Sequence, residues 1–367
     1  MSDLKIAFVK QEVYQDLYVC SNEEKSAGNI LFSSIMRVGP IGLMAENNAD
    51  FYILSEEYNE ETQVYKRVIP RVADKLQLLK TQTFDTLEGV GFFSPGSPYP
   101  NGKFAVDGKL IDWSIYDVVI SINISIPTEI IKKYSDTLFC YMIGEANILS
   151  QKVEYGYDAV LNQNASGKLN IRKGVVDFPY TFLKGNTLED LLSKRFKNRN
   201  KRGIYVEINS CKERPVVSIP DDFKIIMQRT GQEIKLHKQN ISENLEQLYN
   251  SKYYIKYGGR KTRGNGAVEA ISSGALVIMN PDEIIYKEIL PNETQCKTLE
   301  EIIELVIKLE NDSDEYDRLL KLQKKIVDFY FYERPLYNLR KLLNLKRIKK
   351  NQRFYFFKPS YWKEFFC

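Results

Sequence analysis

Tyr253–Met279, YYIKYGGRKTRGNGAVEAISSGALVIM, decides the reading of the whole chain. Tyr253 to Tyr257 alternate and are rich in β-formers, as a strand requires. Gly258, Gly259, Gly264 and Gly266 then interrupt a basic loop. Ala267 to Ser273 has helical spacing, and Ala275 to Met279 is apolar throughout, as a strand buried on both faces would be. A strand–loop–helix–strand unit of this kind aims several backbone N–H groups and the positive end of a helix at one spot. Lys261 and Arg263 add full charges there. The natural guest is an anion, most often a phosphate.

The dinucleotide fingerprint is the nearest bare pattern, and it fails. Gly264-Asn265-Gly266 supplies two glycines, but Glu269 stands where the third should be. That third glycine lets helix and strand pack closely, which a carboxylate cannot do. A glutamate in the first turn instead suits the helix dipole and can accept hydrogen bonds from a sugar hydroxyl; a plain dipole-friendly surface residue is the simpler alternative.

Working outward, an apolar run at Ile225–Gln228 and a turn at Arg229-Thr230-Gly231 come upstream. They are followed by Glu233–His237 and a helix near Ser242–Asn250. Downstream lie Asn280-Pro281-Asp282 and helices at Leu299–Leu309 and Asp314–Tyr330. This order, with GNGAVEAISSGALVI, resembles the C-terminal half of the GT-B glycosyltransferases over roughly Arg202 to Tyr330. In that superfamily a nucleotide sugar rests on a loop-helix of the form G-x-x-x-x-E-A-x-x-x-G-x-x-V-I. Glu269, Ala270, Gly274, Val277 and Ile278 all fall in place. The resemblance implies a nucleotide-ribose contact for Glu269. Retaining members commonly carry a second glutamate eight positions earlier, where this chain has Lys261, so a retaining outcome has no support and the lysine can meet the diphosphate instead.

A chain of 367 residues that is 43% hydrophobic suggests two domains of ordinary size. Cys20, Cys140, Cys211, Cys296 and Cys367 are odd in number and scattered, with no C-x-x-C pair. A disulfide framework and a zinc site are both disfavoured. The chain runs almost directly into a strand at Leu4–Val9, so no signal peptide is expected. No apolar run approaches a membrane span. A cytoplasmic location follows as an expectation. The net charge of +4 is unevenly spread: from Arg340 onward nine Lys/Arg face one acid, Glu364, and the body before them is mildly acidic. A nucleic-acid role for the whole chain has little support from that balance.

The N-terminal half alternates elements. Leu4–Val9, Phe51–Leu54, Val118–Ile122, Thr137–Met142 and Ala159–Asn162 read as parallel strands. Ile30–Met44 and Gln63–Leu79 read as helices between them, and Gly89–Gly108 as a loop excursion. Asn186–Phe196 looks helical. Lys194–Arg202, KRFKNRNKR, reads as a solvated interdomain linker, and Tyr205–Ile208 opens a second sheet. The expected fold is therefore α/β, two Rossmann-like domains facing across a cleft. The N-terminal acceptor domain would span 1–185, the donor domain 186–335 and a tail 336–367.

Ligands of open α/β sheets bind at the carboxyl ends of strands, which selects the residues to weigh. After Tyr205–Ile208 come Asn209 to Arg214, where Lys212 and Arg214 can neutralise a diphosphate leaving group. After Glu233–His237, Lys238, Gln239 and Asn240 can meet a base edge. His237, the only histidine, is a further candidate contact, with a purely structural role as its rival. In the N-terminal half Glu145, behind Ile143-Gly144, is a candidate base for an acceptor hydroxyl. Glu12, Asp16, Asp107 and Asp112 are its rivals. The only Asp-x-Asp is Asp312-Ser313-Asp314, which reads as a helix cap and not as a metal site.

The expected activity is metal-independent glycosyl transfer. A nucleotide sugar is the donor substrate, no cofactor is needed, and the acceptor is a glycan or lipid-linked hydroxyl of surface glycan or polysaccharide synthesis. Lys212, Arg214, Lys261, Arg263 and the helix start at Gly264, Asn265 and Gly266 would stabilise the departing diphosphate. A nucleotide-sugar epimerase or hydrolase of the same fold and a non-catalytic binding module are the alternatives. The tail adds eight aromatics from Phe354 to Phe366 behind a leucine face at Leu336, Leu339, Leu342, Leu343 and Leu345. It either packs on the N-terminal domain or sets Lys346–Arg353 against an anionic membrane surface.

Overall fold

The computed structural model describes residues 4–11, 18–19, 30–31, 50–59, 64–73, 105–107, 112–122, 126, 128–143, 156–162, 175–178, parts of 186–200, 201–212, 216–238 and 241–356. The first half is built on one sheet. Its strands are β1 (Ile6–Gln11), β4 (Asp50–Asn59), β5 (Val64–Ala73), β6 (Ala105–Asp107), β7 (Val118–Ile122), β8 (Leu138–Ile143), β9 (Ala159–Asn162) and β10 (Val175–Asp177). β2 (Tyr18–Val19) and β3 (Ile30–Leu31) form a separate antiparallel pair. The order β10-β9-β8-β7-β1-β4-β5-β6 is parallel as far as β4 and antiparallel beyond it.

The alternation of side chains explains why this sheet needs cover on both sides. Phe8, Ile120, Cys140 and Leu161 lie in one apolar cluster. Ala7, Val9, Val119 and Phe139 lie in another, with Trp113, Ile130 and Ile131. Ile130 and Ile131 come from the short helix α1 (Thr128–Lys133).

Two expectations need correction. Gln63–Leu79 is not a helix: Val64–Ala73 is strand β5, paired antiparallel with β4 and β6. Its sequence, VYKRVIPRVA, carries the reason. Four β-branched residues favour an extended chain, and Pro70 would break a helix from inside. Ile30–Met44 begins as strand β3, and the rest of that run lies outside the described residues. So does the excursion from Gly89 onward, apart from strand β6 at its end.

The second half is a four-stranded parallel sheet ordered β12-β11-β13-β14. Its strands are β11 (Ile204–Val206), β12 (Ile234–Lys235), β13 (Tyr253–Lys256) and β14 (Leu276–Met279). Helices α2 (Asp221–Thr230), α3 (Ile241–Tyr249) and α4 (Asn265–Ser272) connect them, and α5 (Leu299–Asn311) and α6 (Ser313–Val327) follow. Tyr205, Tyr254 and Val277 face the cluster that holds α4. Ile204, Val206, Tyr253, Ile255, Leu276 and Ile278 face α2, α5 and α6. Both halves are thus doubly wound, as expected for two Rossmann-like units.

Local sequence sets the ends of these helices. Thr298 and Glu301 close a capping box on α5, and Asp312 accepts from Glu315 N at 3.0 Å to cap α6. The Asp312-Ser313-Asp314 turn is therefore a cap, as read from the sequence. The free edge of β14 is covered by a fully buried glutamine. Gln323 Oε1 accepts from Val277 N at 2.9 Å, and its Nε2 donates to Val277 O at 2.7 Å. One side chain thereby stands in for a fifth strand.

The run Lys194–Arg202 is more than a solvated linker. Arg199 donates to Ser273 O at 2.9 Å, stacks 4.2 Å over the Tyr249 ring and pairs with Glu189, which also holds Lys324. A cation on the last carbonyls of α4 is where the helix dipole favours one.

A π-helical segment (Asp328–Glu333) carries the chain from α6 into α7 (Arg334–Phe356), which returns to the first sheet. Leu336, Leu339 and Leu343 are buried in the cluster that includes Phe8 and Cys140. Phe331 packs edge-on to Tyr286 at 4.9 Å. Lys346 donates to Thr137 O and Asp158, both at 2.7 Å; Arg347 meets Asp117 at 3.1 Å, and Lys350 pairs with Asp136. Three of the cations weighed for lipid headgroups are thus committed to the N-terminal half. The aromatics beyond Phe356 lie outside the described residues. Among the described residues no helix is long and apolar enough to cross a membrane.

Candidate functional site

The order β12-β11-β13-β14 reverses direction between β11 and β13, because β12 lies on one side of β11 and β13 on the other. A crevice opens at the carboxyl ends of such a pair, and ligands of doubly wound sheets bind there. The decisive segment ends at this point. Beyond β13 the loop turns through Gly258, Gly259 and Gly264, with φ of 74°, 74° and 107°. A β-carbon at Gly259 would stand 1.7 Å from the Asn209 carbonyl oxygen, so only glycine lets this loop lie against the one after β11.

The loop is braced from beneath. Lys256 is fully buried and donates to Glu283 at 2.6 Å and to Gly258 O at 2.8 Å. Glu283 in turn accepts from Gly258 N at 3.0 Å. A buried ion pair with its remaining valences satisfied fixes geometry even where it adds little stability. Lys256 is thereby consumed within the fold, whereas Lys261 on the loop is exposed. Arg260 lies beside it and donates through Nε to Asn209 Oδ1 at 2.8 Å.

Helix α4 starts at Asn265 with Gly264 as its N-cap and no side-chain capping bond. Its first-turn N–H groups are thus left for a ligand or solvent. Among the described residues Thr262 Oγ1 and Asn265 Oδ1 are buried with no hydrogen-bond partner, which a ligand group in the crevice would supply. Gly266 has a different reason for being glycine: a β-carbon there would lie 2.5 Å from the Tyr254 hydroxyl oxygen and 3.2 Å from Glu207 Oε2.

That contact exposes a residue the sequence reading passed over. Glu207, one position past β11, is 8% exposed. It accepts from the Tyr254 hydroxyl and, at 2.9 Å, from Asn209 Nδ2, with Asn209 N at 3.4 Å. Tyr254 stacks on Tyr205 with centroids 5.7 Å apart and planes within 9°. The Tyr205 hydroxyl donates to Asn244 Oδ1 at 2.8 Å and lies 2.7 Å from His237 Nδ1. With its own proton given to Asn244, Tyr205 accepts from His237, so that ring carries its proton on Nδ1. Burial lowers the His237 pKa and keeps the ring neutral.

Glu269 sits half-buried in this cluster. Burial, and then the charge on Glu207, push its carboxyl up to about 8. Among the described residues it has no hydrogen-bond or ion-pair partner.

The structure therefore brings Gly264, Asn265, Gly266 and Glu269 to one crevice and ties His237 to it through Tyr205. Lys261 and Arg263 rise from the loop that borders it. Lys212 is exposed after the 3-10 turn at Ile208–Ser210, and its charge is felt by Asp221 of α2. Arg214 and Glu145 lie outside the described residues, as do Glu12 and Asp16. Asp112 is spent on a cap, accepting from Ser114 N at 3.0 Å. Glu207 could have been found by the strand-end rule that singled out Glu145; it was missed because the strand was read as running on to Ile208.

No family model matches this sequence, and no curated protein matches it. Several solved structures follow a similar course of chain. T4 phage BGT in complex with UDP and Mn2+ is 11% identical, with 93% of this chain and 99% of that one covered and a TM-score of 0.42. Sucrose-phosphate synthase from Thermosynechococcus elongatus is 9% identical over 95% and 99%, with a TM-score of 0.41. Anabaena HepE in complex with UDP and glucose is 9% identical over 94% and 100%, with a TM-score of 0.40. Likenesses of this size carry neither fold nor activity across, and the architecture stands on the strand orders themselves.

Proposed function

We propose that the chain is a GT-B glycosyltransferase that moves a sugar from a nucleotide-sugar donor to an acceptor hydroxyl. One observation carries the reading. At the crevice between β11 and β13, a glycine loop, an uncapped helix start and the carboxyl of Glu269 converge. An anion-accepting backbone beside a group able to hydrogen-bond a sugar suits a nucleoside diphosphate that carries one. The resemblance of GNGAVEAISSGALVI to the GT-B donor motif points the same way.

In this reading the second half holds the donor. Lys261, Arg263 and the first turn of α4 face the developing charge on the leaving diphosphate, with Lys212 and Arg214 in support. No metal is required for that charge balance. The first half offers the acceptor, with Glu145 as the base, and the acceptor is a glycan or lipid-linked hydroxyl. Docking of the last residues, up to Cys367, on an anionic membrane belongs to the same proposal. It would rest on the cations of the tail that α7 does not already spend on Asp117, Asp136 and Asp158.

Incubation with UDP-, GDP- and ADP-sugars, following nucleotide release with and without acceptor, tests the reaction. Release that needs an acceptor supports transfer, release without one indicates a hydrolase, and binding without release indicates a binding module. Glu269→Ala should weaken donor binding by about 1–3 kcal/mol, the range for one lost hydrogen bond at a buried site. Liposome co-sedimentation of the full chain at low salt tests the membrane step.

A further inference from the structure

Asn280-Pro281-Asp282-Glu283 follows β14 and turns tightly. Pro281 opens a 3-10 turn (Pro281–Glu283), Asn280 Oδ1 accepts from Asp282 N at 3.0 Å, and Asn280 O accepts from Glu283 N at 3.1 Å. The turn sets Glu283 beneath the loop 258–264, which this residue holds near both ends. Its Oε1 accepts from Gly258 N at 3.0 Å. Its Oε2 accepts from Lys256 Nζ at 2.6 Å, and the same ammonium donates to Gly258 O at 2.8 Å. Its backbone carbonyl accepts from Thr262 N at 2.9 Å. The pairing continues along the chain: Ile285 N donates to Thr262 O at 2.9 Å, and Tyr286 N to Arg263 O at 3.1 Å. Gly264 then lies against Ile284, where a β-carbon would stand 2.4 Å from Ile284 Cδ1.

Stability alone does not ask for this arrangement. Lys256 ends β13 as a fully buried cation behind Tyr253, Tyr254 and Ile255. Burying an ion pair costs desolvation, and apolar residues of similar volume often hold a fold as well or better. What an apolar pair lacks is a grip on the N–H and carbonyl of Gly258. Gly258 and Gly259 both have φ of 74°, and two glycines in succession give the chain little stiffness of its own. We propose that Glu283 is the positioning residue of this site: with Lys256 it fixes the loop, so that Lys261, Arg263 and the first turn of α4 stand ready for a nucleoside diphosphate. The inference rests on the donor-site reading above and adds to it the residue that sets the loop. Glu283 acts through the loop and not on the ligand. Groups already in place cost no reorganisation when an anion binds, so loss of the anchor is read as loss of affinity.

The test uses the full chain and two double variants. Lys256→Met with Glu283→Met removes both charges at similar volume and leaves no buried ion unpaired. Lys256→Met with Glu283→Gln differs from it by a side-chain amide whose carbonyl can again accept from Gly258 N. In urea unfolding both should keep midpoints near that of the wild type. Affinity for UDP-, GDP- and ADP-glucose, by calorimetry, should fall about tenfold in the first variant, the effect of one hydrogen bond, and recover in part in the second. Amide hydrogen exchange over 258–264, without ligand, should quicken in the first and slow again in the second. Unchanged affinity and exchange in the first variant, or equal losses in both, would overturn the inference while leaving the donor site intact. If the wild type binds none of these nucleotides, the functional reading falls instead, and the exchange comparison alone decides whether Glu283 holds the loop. Should both double variants fail to fold, Glu283→Asp takes their place. It keeps the charge but draws it back by one methylene, so affinity should again fall, and an unchanged affinity overturns the inference.

Discussion

Gly266→Ala asks whether the close contact between α4 and Tyr254 is real. Within a helix this change ordinarily stabilises by about 0.5–1 kcal/mol, because alanine loses less backbone freedom on folding. Here the added β-carbon would fall 2.5 Å from the Tyr254 hydroxyl oxygen. Tyr254 is 2% exposed and stacked on Tyr205, so it cannot swing aside freely. The strain is relieved only if the hydroxyl withdraws from Glu207. A hydrogen bond to a charged group contributes about 1.5–3 kcal/mol, which exceeds the propensity gain. The expected net effect is a loss of about 1–2 kcal/mol in urea unfolding, with an unchanged slope. In a Tyr254→Phe background the obstructing oxygen is gone, and the same substitution should be neutral or stabilising. A Gly266→Ala protein more stable than wild type, or an equal cost in both backgrounds, would refute the packing argument.

Three further outcomes are expected. Because the folded-state pKa of Glu269 lies near 8, above the ordinary glutamate value, the folded protein holds that proton longer than the unfolded chain. Its contribution to stability therefore falls as pH rises from about 4.5 to 8 and changes little beyond; Glu269→Gln should remove that part of the slope in pH-dependent denaturation. Gln323→Leu leaves Val277 N and O unpaired at a buried sheet edge and should cost about 2–4 kcal/mol in chemical unfolding; a loss below 1 kcal/mol would mean the edge is satisfied some other way. Sugar transfer should survive EDTA, and complete loss restored by Mg2+ or Mn2+ would contradict the assignment of leaving-group charge to Lys261, Arg263 and the helix start.

The sequence determined what local rules govern. Continuous apolar runs located β1, β7, β8 and β9, because a sheet buried on both faces leaves its strands no polar alternative. Glycines at Gly258, Gly259 and Gly264 and the helix behind them marked the loop at the crevice, because positive φ and an uncapped start are legible in residue type. Where competing local signals were weighed wrongly, as over Gln63–Leu79, the β-branched run and Pro70 already held the answer. Tertiary structure decided the rest. That Glu207 and Glu269, 62 positions apart, share one crevice follows from the strand order, which no spacing in the chain reveals. The upward shift of the Glu269 pKa follows from burial and then from that neighbour, not from glutamate chemistry alone. Arg199 and Lys346 looked like solvated charges because a basic run has no local reason to be otherwise. Only the packing of α4, α6 and α7 supplied the carbonyls and carboxylates that claim them.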